Sequence, residues 1–108
     1  MRAALEKLLA GGRDDALLRF SLGNACLQEQ DADAAAGHLR RAVEHDPGYS
    51  AAWKLLGRAL AEQGDHAEAA SAWEHGIEAA GARGDVQAAK EMQVFLKRLR
   101  KQGGDASA

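Results

Sequence analysis

A chain of 108 residues, 46% of them hydrophobic, suffices for one modest domain, and a formal charge of −2 supplies no overall positive field to draw it to nucleic acid or an anionic membrane. The single cysteine, Cys26, excludes an intrachain disulfide and suits a reducing compartment. Apolar residues are mostly Ala and Leu, proline occurs once and β-branched residues are few, so sheet is excluded in favour of an all-α class.

Met1, Leu5, Leu8 and Leu9 recur at helical spacing and end at Gly11-Gly12, which predicts a first amphipathic helix with a glycine stop. Glu6 and Lys7 interrupt it, and no later stretch runs apolar for the roughly 20 residues a membrane span requires. The expectation is a chain with no membrane association and a cytoplasmic location. Asp14 and Asp15 offer N-cap oxygens to a second helix reaching about Gln30, with Leu18, Leu22 and Cys26 on its packed face. A third helix runs from about Ala32 to His45, and Asp46-Pro47-Gly48 forces the chain out of it. Ser50 is the expected N-cap of a fourth helix ending near Gln63. Gly64 turns the chain, Asp65 and Glu68 have the spacing of a capping box, and the fifth helix is expected to end near Ala80, between which and the next helix Gly81 and Gly84 bracket a break. Asp85 then caps a last helix from Val86 to about Lys101, its apolar face made by Ala88, Ala89, Met92, Phe95, Leu96 and Leu99. The small polar tail, residues 103–108, is expected to be disordered.

Displacing the chain by 34 residues superimposes Leu22 on Leu56, Gly23 on Gly57, Asp31 on Asp65, Ala35 on Ala69 and Glu44 on Glu78. The same displacement puts Leu5 on Leu39 and Leu9 on Val43, so the first helix reads as the second half of a truncated preceding unit. Trp53-x2-Leu56-Gly57-x2-Leu60, Ala69-x3-Trp73 and Pro47 resemble the tetratricopeptide repeat. The first unit is a poorer likeness, with Arg19, Cys26 and Leu39 in place of the pattern's Trp, Tyr and Phe. The resemblance implies a right-handed solenoid of helical hairpins, about six helices, in a single domain over residues 1–102. Its parts are an N-terminal helix (1–12), two repeats (16–49 and 50–83) and a capping helix (84–102). Gly57 is expected opposite Ala69, and Gly23 opposite Ala35, where small residues let helices cross closely.

Stacked hairpins curve, and the first helix of each unit lines the hollow side. Candidate peptide-binding residues there are Leu17, Phe20, Asn24 and Leu27 of the first unit, Lys54 and Arg58 of the second, and Lys90 of the capping helix, beside Val86, Gln93 and Val94. Asn24, Arg58 and Lys90 make a row of donors suited to an acidic peptide with apolar anchors. The carboxylate clamp of some family members is not matched, since Phe20 and Leu55 stand where it needs Lys and Asn. The function expected is therefore a non-enzymatic module binding a peptide segment of a partner protein. The alternative is a homodimer formed through end helices, with Met92, Phe95 and Leu96 as the contact; a monomer is favoured.

The four histidines are spaced too widely for two imidazoles to meet one turn apart, so no metal is expected. No nucleophile with its base, paired-cysteine motif or phosphate loop can be assembled, and Cys26 lies on a packing stripe, so neither catalysis nor a cofactor is expected. Lys97, Arg98, Arg100 and Lys101 read as cations complementing the dipole in the last helix's final turn, in preference to an RNA or lipid contact. Trp53 and Trp73 read as core.

Overall fold

The structure, a computed structural model, describes residues 1–107, with side chains as far as Gln102. Over these residues the chain folds into α1 (Arg2–Ala10), α2 (Ala16–Gln28), α3 (Ala32–His45), α4 (Ser50–Glu62), α5 (His66–Arg83) and α6 (Val86–Ser107), with no strand among them. Four aspartates set four of the starts. Leu18 N–H donates to Asp15 (2.8 Å), Ala34 N–H to Asp31 (3.2 Å), Glu68 N–H to Asp65 (3.3 Å) and Ala88 N–H to Asp85 (3.1 Å), each satisfying an otherwise orphan donor of the first turn.

Four local expectations fail. Ser50 is inside α4 and buried; Tyr49 holds the cap position without a side-chain bond. The preceding turn is fixed instead by Asp46, whose carboxylate takes Gly48 N–H (3.1 Å) and the Arg83 guanidinium (3.2 Å). The capping box at Asp65 lacks its return arm, because Asp65 N–H already donates to the Leu60 carbonyl at 2.9 Å. Gly81 does not break α5, which continues to Arg83 and ends on the left-handed Gly84 (φ 75°). Nor does α6 end near Lys101: its backbone is helical to Ser107, through most of the expected tail; Ala108 lies outside the described residues.

Each helix packs on its successor. In addition α2 touches α4 and α4 touches α6, whereas α3 and α5 make no contact. The leading helices α2, α4 and α6 therefore converge on the inside of a curved array and the trailing ones splay outside it. The principal extents, 49 × 29 × 18 Å, are those of such a row.

The hairpins close through glycine, though not against the partners expected. A Cβ on Gly23 would lie 2.4 Å from Leu39 Cγ, and one on Gly57 would lie 2.2 Å from Trp73 Nε1; the large side chain four residues past the alanine fills the space. Gly76 makes a third close approach, its Cβ position 2.4 Å from Met92 Sδ and 2.9 Å from Trp53 Cβ, which seats α6 on α5. Leu18, Leu22, Cys26, Leu39, Leu60 and Met92 are the largest fully buried side chains. Among the described residues no helix is long and apolar enough to cross a membrane.

Candidate functional site

The hollow wall is built from the faces of α2, α4 and α6 that their own hairpin partners leave free. On these helices Leu17 (58% exposed), Asn24, Arg58 and Lys90 are exposed. Leu27 is not: it is 3% exposed and belongs to the core. A helix with one neighbour buries one stripe, but α2 is flanked by α1, α3 and α4, so its buried arc widens past Cys26 to include the next residue. Phe20 is half-buried, its ring stacked on Tyr49 at 4.9 Å, joining α2 to the start of α4. Lys54 reaches across to α6, donating to Glu91 Oε1 at 2.9 Å, and its ammonium holds the Glu91 carboxyl below the usual carboxylate range. Arg58 pairs along its own helix with Glu62 (3.0 Å). Lys90 has no ionic partner among the described residues. The partner of Lys54 has no signal in the sequence, because Glu91 lies 37 residues on, where no helical periodicity connects the two.

Two hollows divide this wall. The first, of about 230 Å³, lies between α1 and α2 and is lined by Met1, Leu5, Phe20, Ser21 and Asn24 among others. The second, of about 320 Å³, lies between the ends of α4 and α6 over α5, and its lining includes Arg58, Ala61, Trp73, Phe95, Arg98 and Leu99. Phe20 and Asn24 thus share one hollow, Arg58 belongs to the other, and Lys90 lines neither. Trp73 at the bottom of the second is 5% exposed, tilted against Phe95 at 5.5 Å, with its indole N–H donated to the Lys54 carbonyl (3.0 Å). The basic residues beside it do not cap a dipole. α6 runs on past Lys101 to Ser107, and its last turn carries no cation, so Lys97, Arg98, Arg100 and Lys101 sit within the helix. A stretch from Met92 to Gln102 without one acidic residue was the sequence signal for this site.

Elsewhere the ionisable groups tie elements together. Arg19 and His45 both engage Asp14 (2.8 and 2.9 Å) and hold its carboxyl well below the usual range, and Arg19 also donates to His38 Nδ1 at 3.1 Å. Burial, and then the Arg19 charge, push the His38 imidazole down. Arg2 anchors α1 through Glu29 (3.2 Å) and Asp31 (3.1 Å). His75 stacks on half-buried Trp53 at 4.9 Å, and Trp53 donates its indole N–H to the Pro47 carbonyl (2.7 Å). Cys26 is 0% exposed, and burial pushes its thiol up.

Comparison with known proteins agrees with this architecture. Tetratricopeptide repeat family models match residues 27–92 and 2–50. The chain is 57% identical over 99 residues to the TPR repeat-containing protein PA0015 of Pseudomonas aeruginosa, covering 92% of this chain and 94% of that one. Among solved structures, protein BPP2914 of Bordetella parapertussis is similar with a TM-score of 0.81 and 51% identity over 94% of this chain and 89% of that one. A tetratricopeptide repeat domain protein of Salinibacter ruber shares the fold at a TM-score of 0.74 and 24% identity, over 82% and 89% of the two chains.

Proposed function

The chain belongs to the tetratricopeptide repeat family, whose repeats are generally protein–protein interaction modules, and on that premise we propose that it is a non-enzymatic module binding a peptide segment of a partner on its hollow side. One observation carries the reading: the leading helices touch one another across units while the trailing helices do not, so Leu17, Asn24, Arg58 and Lys90 stand on helices that share one concave wall. Amide, guanidinium and ammonium donors beside an exposed leucine suit an extended or helical segment with acidic and apolar residues. Phe20 contributes the exposed part of its ring, and Lys54 contributes through its bridge to Glu91. Leu27 has no part in binding. A cytoplasmic location belongs to this reading, and the lone buried thiol of Cys26 suits it.

The test is selection of short displayed peptides on the full chain. Peptides so recovered should lose binding to a Leu17→Ala, Asn24→Ala, Lys90→Ala triple variant and keep it when Arg40 and His75, which line a hollow with residues of α3 and α5, are replaced. Equal binding to the triple variant refutes the hollow-side reading.

Self-association is the second reading, and it moves from α6 to α1. Met92 and Leu96 are buried within their own chain, and Phe95 is packed on Trp73. On α1, by contrast, Met1 (89% exposed) and Leu8 (45%) stand 34 residues before Ala35 and Ala42, both fully buried. If α1 pairs two copies, Leu8→Glu should convert a dimer to a monomer in light scattering; a monomeric wild type removes this reading.

A further inference from the structure

α6 continues past the end of α4, and a notch opens between the last residues of α4 and the second half of α6. Its floor is apolar, made by Ala61, Trp73, Phe95 and Leu99. Because the Trp73 indole N–H is already donated to the Lys54 carbonyl, the floor offers hydrocarbon contact and no free donor. The rim is cationic. Arg98 has no ionic partner among the described residues, and Arg58 is held only by the exposed i, i+4 pair with Glu62, a pair of a kind worth little. Arg100 is different, being taken by Glu74 at 2.7 Å.

We propose that this notch is an anchor pocket for an acidic peptide segment that inserts one bulky apolar side chain over Trp73 and Phe95 and lays a carboxylate between Arg58 and Arg98. The proposal rests on the hollow-side reading above and names its partner's chemistry. Charge complementarity selects the occupant: two guanidiniums face one lining carboxylate, Glu62, and planar forks bind carboxylates bidentately. At about 320 Å³ the notch is at the small end of ligand sites, the size for a single aromatic or branched side chain. Single-stranded nucleic acid fits less well, because it stacks successive bases along a continuous cationic groove, whereas this notch has room for one side chain.

Two-dimensional amide spectra of the full chain, titrated with the blocked peptide Asp-Glu-Phe-Leu-Asp-Glu, test this. Saturable shifts are expected at Arg58, Trp73, Phe95, Arg98 and Leu99. Arg98→Glu, at an exposed position, should keep the melting temperature and weaken binding at least about tenfold, or about 1.4 kcal/mol. Ala61→Trp, which fills the notch, should abolish the shifts, and Lys-Lys-Phe-Leu-Lys-Lys should produce none. Absence of saturable shifts overturns the proposal. Shifts at Leu17, Asn24 and Lys90 that ignore Arg98→Glu also overturn it, while leaving the hollow-side reading intact. So does an Arg98-dependent affinity for oligouridylate or phosphatidylserine vesicles exceeding that for the acidic peptide, which would assign the cations to phosphate.

Discussion

Gly37→Ala and Gly57→Ala add the same methyl group to a helix interior, yet they should move stability in opposite directions. Each gains about 0.8–1.0 kcal/mol of helix propensity. At Gly37, on α3, the new Cβ meets nothing within 4 Å, so the gain stands and the melting temperature should rise by roughly 3–8 °C. At Gly57 the Cβ would lie 2.2 Å from Trp73 Nε1 and 2.5 Å from its Cδ1 and Cε2. The indole must then move, although it is 5% exposed and bonded to the Lys54 carbonyl. Overpacking costs about 1–3 kcal/mol, and loss of the indole hydrogen bond about 1 kcal/mol more. Against the propensity gain, the net loss is about 1–3 kcal/mol, a melting temperature lower by at least about 4 °C. Urea titration followed by helical circular dichroism and by tryptophan fluorescence measures both variants. If Gly57→Ala matches Gly37→Ala in sign, the indole does not press on α4 and the account of how the second hairpin closes is wrong.

Gln30 holds a left-handed conformation (φ 62°) immediately before the Asp31 cap, where the corresponding Gly64 (φ 82°) precedes Asp65; Gln30→Gly should stabilise by about 0.5–1 kcal/mol, and an unchanged melt would refute the strain. Asp14, with its folded pKa depressed by Arg19 and His45, contributes stability above the ordinary aspartate pKa of about 4 that is lost as pH falls through the depressed value. His38 acts in the same sense from its ordinary value of 6.5 downwards, since its folded form resists protonation. Urea midpoints against pH should therefore decline in two steps on acidification, the lower one, which Asp15, Asp31 and Glu91 share, reduced in Asp14→Asn and the upper one absent in His38→Gln; unaltered profiles would contradict these assignments. Cys26, fully buried with its thiol pKa raised, should react with Ellman's reagent only at the rate of unfolding, so prompt labelling in native buffer would contradict its burial.

The repeat was legible because the residues that close a hairpin are local and periodic. Leu22, Gly23, Leu56 and Gly57 recur at a fixed spacing, and aspartates at Asp15, Asp65 and Asp85 announce the second, fifth and last helices before any packing is known. What periodicity could not supply was which partner fills a close approach. Gly57 and Ala69 share a sequence pattern, but the atom over Gly57 belongs to Trp73, one helical turn further along α5. Gly76 carries no such signal, since its neighbour Met92 belongs to another unit and no repeat spacing connects them.

The binding face was less legible because exposure in a short array depends on neighbours at its ends. Leu27 looks like an outward residue by spacing, and a third neighbour of α2 buries it; Leu8 looks like a core residue by spacing, yet it is 45% exposed, because α2 is the one helix that α1 packs on among the described residues. Motif positions report how a hairpin closes and are shared by every unit, so they say little about a ligand. Departures from the repeat say more. The notch over Trp73 joins the end of α4 to the second half of α6, and its Arg98 lies within α6, where no helix terminus explains it. Selectivity in a chain this short should therefore reside where the repeat is broken, and Arg98 is the residue on which that argument is most directly decided.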